Sequence, residues 1–439
     1  MLKRLFVYLC FFLIEPGVIP VHAMTIEVSG GEEGAIPIAI VPFGFNGAGA
    51  APVDIAAIVA ADLRRTGHFA PLTNKDIISQ PHSAAEVRFE DWRLLGTENL
   101  VVGLVQSLGM GRYGIQFELF DVFKGNRLTG LSIDVGPNQN SRQVAHQIAD
   151  IIYKQLTGER GAFNTRIAYV AAGPNRGRYN SSYALKVADA DGDNSRTVLT
   201  SKEPILSPAW SPESTRIAYV SFENRHPSIY IQDLSSGKRE VVANYPGTNS
   251  APAWSPDGRQ LAASLSKDGN SEIYILDLAS RSAQRLTNNT AIDTEPAWSP
   301  DGSTIVFTSD RSGSPQIYRI SVNGGREERL TFEGKYNAHP QFSPDGRRLV
   351  LVHGNGALNH IAILDLEKAG SLRQITRTNL DESPSFSPNG TMIIYASEDS
   401  GGSMLRVVSV DGRGPQRLGV PENDAREPTW SSLNKRLEE

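Results

Sequence analysis

Over the last two thirds of the chain, apolar residues gather in short runs such as 216–220, 260–265 and 304–308, each cut off by Gly, Pro, Asp or Asn. Short β-branched and aromatic runs with that punctuation predict strands and tight turns and exclude a solenoid of helix pairs. Each run is preceded by the same phrase: Pro, a small or polar residue, Trp or Phe, then Ser. It begins at Pro208, Pro252, Pro296, Pro340, Pro384 and Pro428, so successive prolines stand 44 positions apart by subtraction. A fixed period in that range marks a repeat architecture. The first five copies run on through Pro-Glu, Pro-Asp or Pro-Asn, mostly followed by Gly, where Pro presets φ, the acid or amide caps its own backbone and Gly takes the left-handed corner. A third strand follows (229–234, 273–278, 361–366) and then a fourth (around 285–287, 329–331 or 374–376). Four short strands per repeat predict a propeller blade.

The ends of the array give the number of blades, because an open ring would leave strand edges exposed. Residues 165–170 repeat 215–220, yet no Pro-x-Trp phrase precedes them, while Pro428-Thr429-Trp430-Ser431 has no second strand after it. The C-terminal strand is therefore expected to complete the blade begun at Thr165. Six first strands and six second strands predict six blades over residues 162–439.

The remainder follows other patterns. Residues 1–23 carry Lys3 and Arg4, an apolar run over 5–14, then Glu15, Pro16 and a Val-His-Ala end, which predicts a secretory signal peptide cleaved after Ala23. The run is half of what a bilayer span needs, so no direct membrane insertion is expected. Cys10 is the only cysteine, so the mature chain would have none; a secreted protein with a large core and no disulfides suits the Gram-negative periplasm. Residues 24–161 read as a small α/β domain. Strands are expected over 36–43, 100–106, 115–121 and 128–135. Helices are expected over 53–65, with Ile55, Ile58, Val59 and Leu63 on one face, and over 141–156, with Val144, Ile148, Ile151 and Ile152 inward. The stretch 24–35 is polar and Gly-rich and is expected to begin as a mobile arm. The fold class is thus an α/β N-terminal domain followed by an all-β six-bladed propeller closed by the C-terminal strand.

Charge changes the picture little. Loss of Lys3, Arg4 and Glu15 takes the net charge from −5 to −6, and without basic clusters nucleic acid is not an expected partner. No G-x-S-x-G elbow occurs, so the propeller is not expected to serve a serine peptidase. The repeated Ser-Pro-Asp turns serve the blades. Asp189-Ala190-Asp191-Gly192-Asp193 begins like a calcium loop, but its Gly comes early and its twelfth position is Thr200, so a hairpin turn is expected. His353 and His360 flank a hairpin with no third ligand in view. No metal, no cofactor and no catalytic residues are expected.

Trp210, Trp254, Trp298, Phe342, Phe386 and Trp430 repeat with the blades and are expected between adjoining sheets. The residues just before each proline vary instead: Thr248, Asn249 and Ala251; Thr294 and Glu295; His339; Asp381 and Glu382; Arg426 and Glu427. They are expected where the chain crosses between blades, around the mouth of a central channel, as a rim able to receive an inserted loop or peptide.

Signal peptide, small α/β domain and closed propeller of P-x-[WF]-S-P-[DN]-G repeats together resemble the TolB family, the periplasmic component of the Tol-Pal system. Residues 38–43 (Ile-Ala-Ile-Val-Pro-Phe), 294–296, 380–384 and 388–392 carry the likeness. The resemblance implies a non-enzymatic adaptor that binds the peptidoglycan-associated lipoprotein Pal at the propeller mouth, including Thr248, Ala251, Thr294 and Glu295. It also implies binding of TolA through the arm, here Met24, Thr25, Ile26, Glu27 and Val28. Outer-membrane integrity and constriction at division are the implied roles, with other envelope proteins and colicins as further candidate partners. The alternative is a propeller enzyme or binding protein acting on a periplasmic glycan or peptide, which should show a pair of inward carboxylates near stacking rings.

Overall fold

The computed structural model describes residues 34–49, 51–137, 139–173, 182–354, 358–368, 371–378, 380–399 and 402–433. The expected signal segment lies outside them. Among the described residues no helix is long and apolar enough to cross a membrane.

The N-terminal unit comprises β1 (Ile36–Ile40), β2 (Gly44–Asn46), α1 (Ile55–Arg65), β3 (Phe69–Pro71), α2 (Phe89–Leu94), β4 (Asn99–Gly109), β5 (Arg112–Asp121), β6 (Asn126–Val135) and α3 (Ser141–Thr157). The sheet order is β3-β1-β4-β5-β6, with β2 also on β4; the β1 and β2 pairings are parallel, and β4, β5 and β6 pair antiparallel. Successive residues of β1 point to opposite faces. Ile38 and Ile40 meet α1 and α3, whereas Ala39 and Val41 pack with Trp92 of α2, so the run is apolar throughout. The strand expected over 36–43 stops at Ile40, since Pro42 has no N–H for the ladder, and pairing resumes at Gly44. α1 starts where the Asp54 side chain accepts the Ala57 N–H at 3.0 Å. Asn140 caps α3 in the same way, and Gly158, at φ 81°, ends it. Neither the three-residue β3 nor the six-residue α2 is long enough to show a period.

Six four-stranded sheets follow. Their inner strands are Ile205–Trp210, Asn249–Trp254, Asp293–Trp298, Tyr336–Phe342, Asp381–Phe386 and Ala425–Trp430. The last closes the ring as expected: Ala425 pairs with Ala171 and Trp430 with Ile167, in a blade otherwise built from Arg166–Ala172, Tyr183–Asp189 and Arg196–Ser201. We number this blade 1 and the blades from Ile205 to Asp381 as 2 to 6. The fourth strands end earlier than expected, at Arg285, Arg329 and Gln374. The threonines that follow leave the ladder and use their hydroxyls: Thr287, Thr331 and Thr376 accept the N–H groups of Ile273, Ile317 and Ile361, each at 2.9 Å.

In every blade the turn between strands one and two and the turn between strands three and four lie at the same end, here called the foot. The N-terminal unit docks there. Asn389 Nδ2, in the first turn of blade 6, donates to the Arg160 carbonyl at 2.8 Å. Gly67 lies against Arg413, from the second turn of that blade, so closely that a Cβ would come within 2.9 Å of it. One core joins Leu63, Ile148 and Ile152 to Met392, Leu418 and Ala190. The opposite end of the propeller, the mouth, carries the crossings between blades.

Candidate functional site: the propeller mouth and channel

A channel of about 1170 Å³ runs along the propeller axis, walled by the six inner strands, with Leu206 and Tyr336 toward the mouth and Arg160 and Leu433 toward the foot. Its wall is shaped by one device used six times. Ser207, Ala251, Glu295, His339, Ser383 and Glu427, each immediately before the blade's proline, have φ of 51°, 48°, 54°, 54°, 52° and 48°. L-residues with a side chain avoid this left-handed region at a cost of roughly 1–2 kcal/mol each. At each position the pairing register shifts, as between Leu206 and Ala209. Proline cannot donate to the ladder, and a bulge accommodates it while re-aiming the residue before it.

Two of these residues are glutamates, and both reach the next blade. Glu295 Oε2 accepts the His339 N–H and the Thr308 hydroxyl, each at 2.8 Å, and Glu427 accepts the Ser207 N–H. Their blades, 4 and 1, are three apart in a ring of six, so they face each other across the channel. Burial pushes the Glu427 carboxyl above the usual range against the opposing pull of the Ser207 N–H. The Trp rings also stitch neighbouring blades: Trp210, Trp254 and Trp298 donate Nε1–H to the carbonyls of Thr429, Ala209 and Ala253 at 3.1–3.2 Å. They pack between sheets as expected, and Trp210, Trp254, Trp298 and Trp430 also present edges to the channel.

The expected rim divides. Ala251, Glu295, His339, Glu382 and Arg426 line the channel, not on the crossings but within the inner strands, because the bulge turns that part of the strand toward the axis. Arg426 ties the wall together, 2.7 Å from Asp424 and 3.6 Å from both Glu382 and Glu398. Thr294 Oγ1 accepts from Ser264 Oγ at 3.3 Å, and the Thr248 N–H donates to Ser266 Oγ at 2.7 Å. Asn249 and Asp381 are corrections to the expected rim. Both are fully buried: Asn249 bonds the N–H and carbonyl of Tyr245, and Asp381 accepts from Thr376 and Thr378. As first residues of inner strands they point into the blade and fasten the crossing behind them. The arm residues Met24, Thr25, Ile26, Glu27 and Val28 lie outside the described residues.

Reasoning from polar variation missed an apolar collar. Leu206, Ile292, Tyr336, Leu358 and Leu380 are large and exposed, and all belong to crossings, strand starts or loops at the mouth. Ile292 and Leu380 stand directly before the inner strands in otherwise polar crossings, and that contrast was the available signal.

At the foot, the 189–193 segment is the hairpin turn expected, but it also reaches the N-terminal unit. Asp191 joins Asp62 and His146, with a carboxylate oxygen of each aspartate and a ring nitrogen of the histidine within 4.8 Å of one another. His353 and His360 pair across strands, and His353 Nδ1 lies 2.9 Å from Asn337 Oδ1.

Comparison with known proteins places this architecture. The model of the TolB amino-terminal domain matches residues 24–128, and that of the TolB beta propeller domain residues 153–434. The crystal structure of TolB from Acinetobacter baumannii superposes with a TM-score of 0.84 at 41% identity, covering 92% of this chain and 98% of that one. Tol-Pal system proteins TolB of Nitrosococcus oceani and Thioalkalivibrio sulfidiphilus are 53% and 50% identical over 229 residues. That stretch is 52% of this chain and 52% of each relative, so the match spans about half the length of these curated relatives. With both family models matched in order and the propeller model alone covering more than half of the sequence, the chain belongs to the TolB family.

Proposed function

We propose that this protein is a non-enzymatic periplasmic adaptor of the Tol-Pal system, binding Pal at the propeller mouth and TolA through the arm 24–33, in support of outer-membrane integrity and constriction at division. The observation that carries the reading is the mouth itself. It faces away from the N-terminal unit, and it combines an apolar collar with polar groups held on a stiff, bulged wall. Burying an exposed leucine contributes roughly 1.5–3 kcal/mol, and polar groups fixed in advance give register at little ordering cost. Such a surface suits an inserted protein segment.

Titration of the mature protein with Pal tests the reading. Glu295→Arg is expected to weaken binding at least tenfold, because a reversed charge inside a desolvated polar contact is costly, while loss of the bonds from the His339 N–H and the Thr308 hydroxyl lowers the melting temperature by a few degrees and leaves unfolding cooperative. Wild-type affinity in that variant would move the site elsewhere. Deleting 24–33 is expected to abolish TolA binding and retain Pal binding; retained TolA binding would remove the arm from the mechanism.

The glycan reading has one observation in its favour, since Glu295 and Glu427 do face a channel edged by Trp rings. Against it, they stand on opposite walls, each engaged by a backbone N–H of the next blade. A hydrolysis screen with peptidoglycan fragments decides the point; turnover lost in Glu427→Gln would establish the enzyme.

A further inference from the structure

Between α1, α3 and the foot of blade 1 lies a chain of charges that the mouth does not use. His146 of α3 is 2% exposed and sits between two carboxylates from different parts of the molecule. Its Nδ1 is 2.6 Å from Asp62 Oδ2 on α1, and its Nε2 is 3.6 Å from Asp191 Oδ2 on the propeller hairpin, with no closer partner. Arg65 Nη2 holds Asp62 Oδ1 at 3.1 Å, and Arg142 pairs with Asp191 and Asp193. Among these groups three are acidic, Asp62, Asp191 and Asp193, and two are permanently basic, Arg65 and Arg142. A proton on His146 makes the set neutral. The third carboxylate, Asp193, is more than half exposed and screened by water, so what the proton supplies inside is the positive charge that bridges Asp62 and Asp191. A divalent cation in the same place would overcompensate, since both carboxylates already carry guanidinium partners.

We propose that Asp62, His146 and Asp191 form a proton-dependent latch between the N-terminal unit and the propeller, closed when the imidazole is protonated and bridging, loosened when it is neutral. Protonated, Nδ1–H and Nε2–H can each donate to a carboxylate on either side of the interface. Neutral, only one nitrogen carries a proton, and the short contact to Asp62 claims it, so the 3.6 Å charge contact across to the propeller is the one lost.

The direction of titration agrees. Burial alone would lower the imidazole pKa, but the charge and hydrogen bond of Asp62 and the charge of Asp191 outweigh it and raise the value above the ordinary 6.5. Asp191 is lowered: burial pushes it up, and His146, Arg65 and Arg142 prevail. A raised histidine gives stability that is fully present below the unfolded value and is lost as pH rises through the folded one. The window therefore opens at about pH 6.5 and extends upward. Two further carboxyls face the cluster. Burial raises Asp189, and it raises Asp150 to about 7 in spite of the N–H groups of Phe163 and Asn164. Ionisation of Asp150 weakens the fold in an overlapping range, so the test must isolate His146.

The experiment compares full-length mature protein with His146→Gln, which keeps a hydrogen-bonding side chain but cannot take the charge. By NMR, the imidazole resonance absent from the variant should titrate above 6.5 in the wild type. The melting temperature of wild type minus variant should be positive at pH 6 and shrink as pH rises past 8, and should do so also in an Asp150→Asn background, which is needed because the imidazole charge acts on Asp150. Nitroxides at Lys124→Cys and Lys368→Cys should report an interdomain distance distribution that broadens with pH in the wild type and is already broad, and independent of pH, in the variant. A His146 titration at or below 6.5, or a difference curve flat with pH, overturns the latch. So does a distance distribution in the wild type that ignores pH, because a purely local role would move stability and not orientation. If added Zn²⁺ raises the wild-type melting temperature and His146→Gln abolishes the rise, the site holds a metal and the proton reading falls.

Discussion

The two ends of the propeller are made from the same 44-residue unit and differ in what they repeat. At the foot the turn chemistry recurs: Ser255 with Asp257, Ser299 with Asp301 and Ser343 with Asp345 make the same short contact, and Gly258, Gly302 and Gly346 share φ near 70°. At the mouth the backbone recurs, down to six left-handed corners, while the side chains on it do not. Repetition at the foot marks residues that serve the blade, and a constant backbone with changing side chains marks residues free to serve something else. The foot contains one instructive exception. Blade 6 has Asn389 where three other blades have Asp. Its Oδ1 accepts from Ser387 and Thr391, and its Nδ2 donates to the Arg160 carbonyl, which a carboxylate could not do. The turn departs from the repeat where a second unit must be held.

The largest expected effect removes material from both ends at once. Deleting residues 425–439 takes away the inner strand of blade 1, leaving its pairing with Arg166–Ala172 unmade and Trp430 absent from the core. Each buried backbone group left unpaired costs roughly 1–3 kcal/mol, so cooperative thermal unfolding should fall by well over 10 °C or vanish. A melting temperature equal to that of the full chain would refute closure by this strand.

Next, the foot can be strained without touching the mouth. A Cβ on Gly161 would lie 2.2 Å from Asp150 Oδ1 and 2.8 Å from its Cα, and backbone does not yield cheaply. Gly161→Ala should cost roughly 1–3 kcal/mol in denaturant unfolding, with affinity for Pal, the partner proposed for the mouth, unchanged. Equal losses of stability and affinity would mean that the two ends are not independent.

The same residues show how far the sequence could be read. Blade number, closure and turns were legible because a period repeated six times averages away local accident, and α1 and α3 because their apolar faces are long. The rim was legible only in part. Variation before each proline does point to the channel at Ala251, Glu295 and His339, yet the bulge that aims them cannot be seen in a string of letters. Asn249 and Asp381 vary in the same way while facing inward, since hydrogen bonds from Tyr245 and Thr378 depend on the fold of the preceding crossing. The His146 cluster draws on positions 62, 146 and 191, which no local pattern connects.

Two smaller effects refine the contrast. Trp254→Phe replaces the buried indole by a smaller phenyl and removes the bond to the Ala209 carbonyl, and should cost about 1–3 kcal/mol by chemical denaturation. Blade 5 carries Phe342 at the equivalent place, so a loss above 3 kcal/mol would show that the ring does more than stitch blades. Asn389→Asp should cost about 1 kcal/mol or less, by losing the donor to Arg160. An unchanged melting curve would reduce that contact to an incidental one.

Ring closure through blade 1 joins Arg166 to Ser431, a separation of 265 positions. Wherever a chain is delivered from its N terminus, five blades and most of the sixth emerge before the strand that locks them. Until residue 430 arrives, Arg166–Ala172 presents an open edge, and open edges pair with whatever strand is near. Contacts of such long range also form slowly. The interval before closure is therefore the time at which this protein most needs shelter, and a holding factor that covers the edge of blade 1 would gain more there than at any later stage.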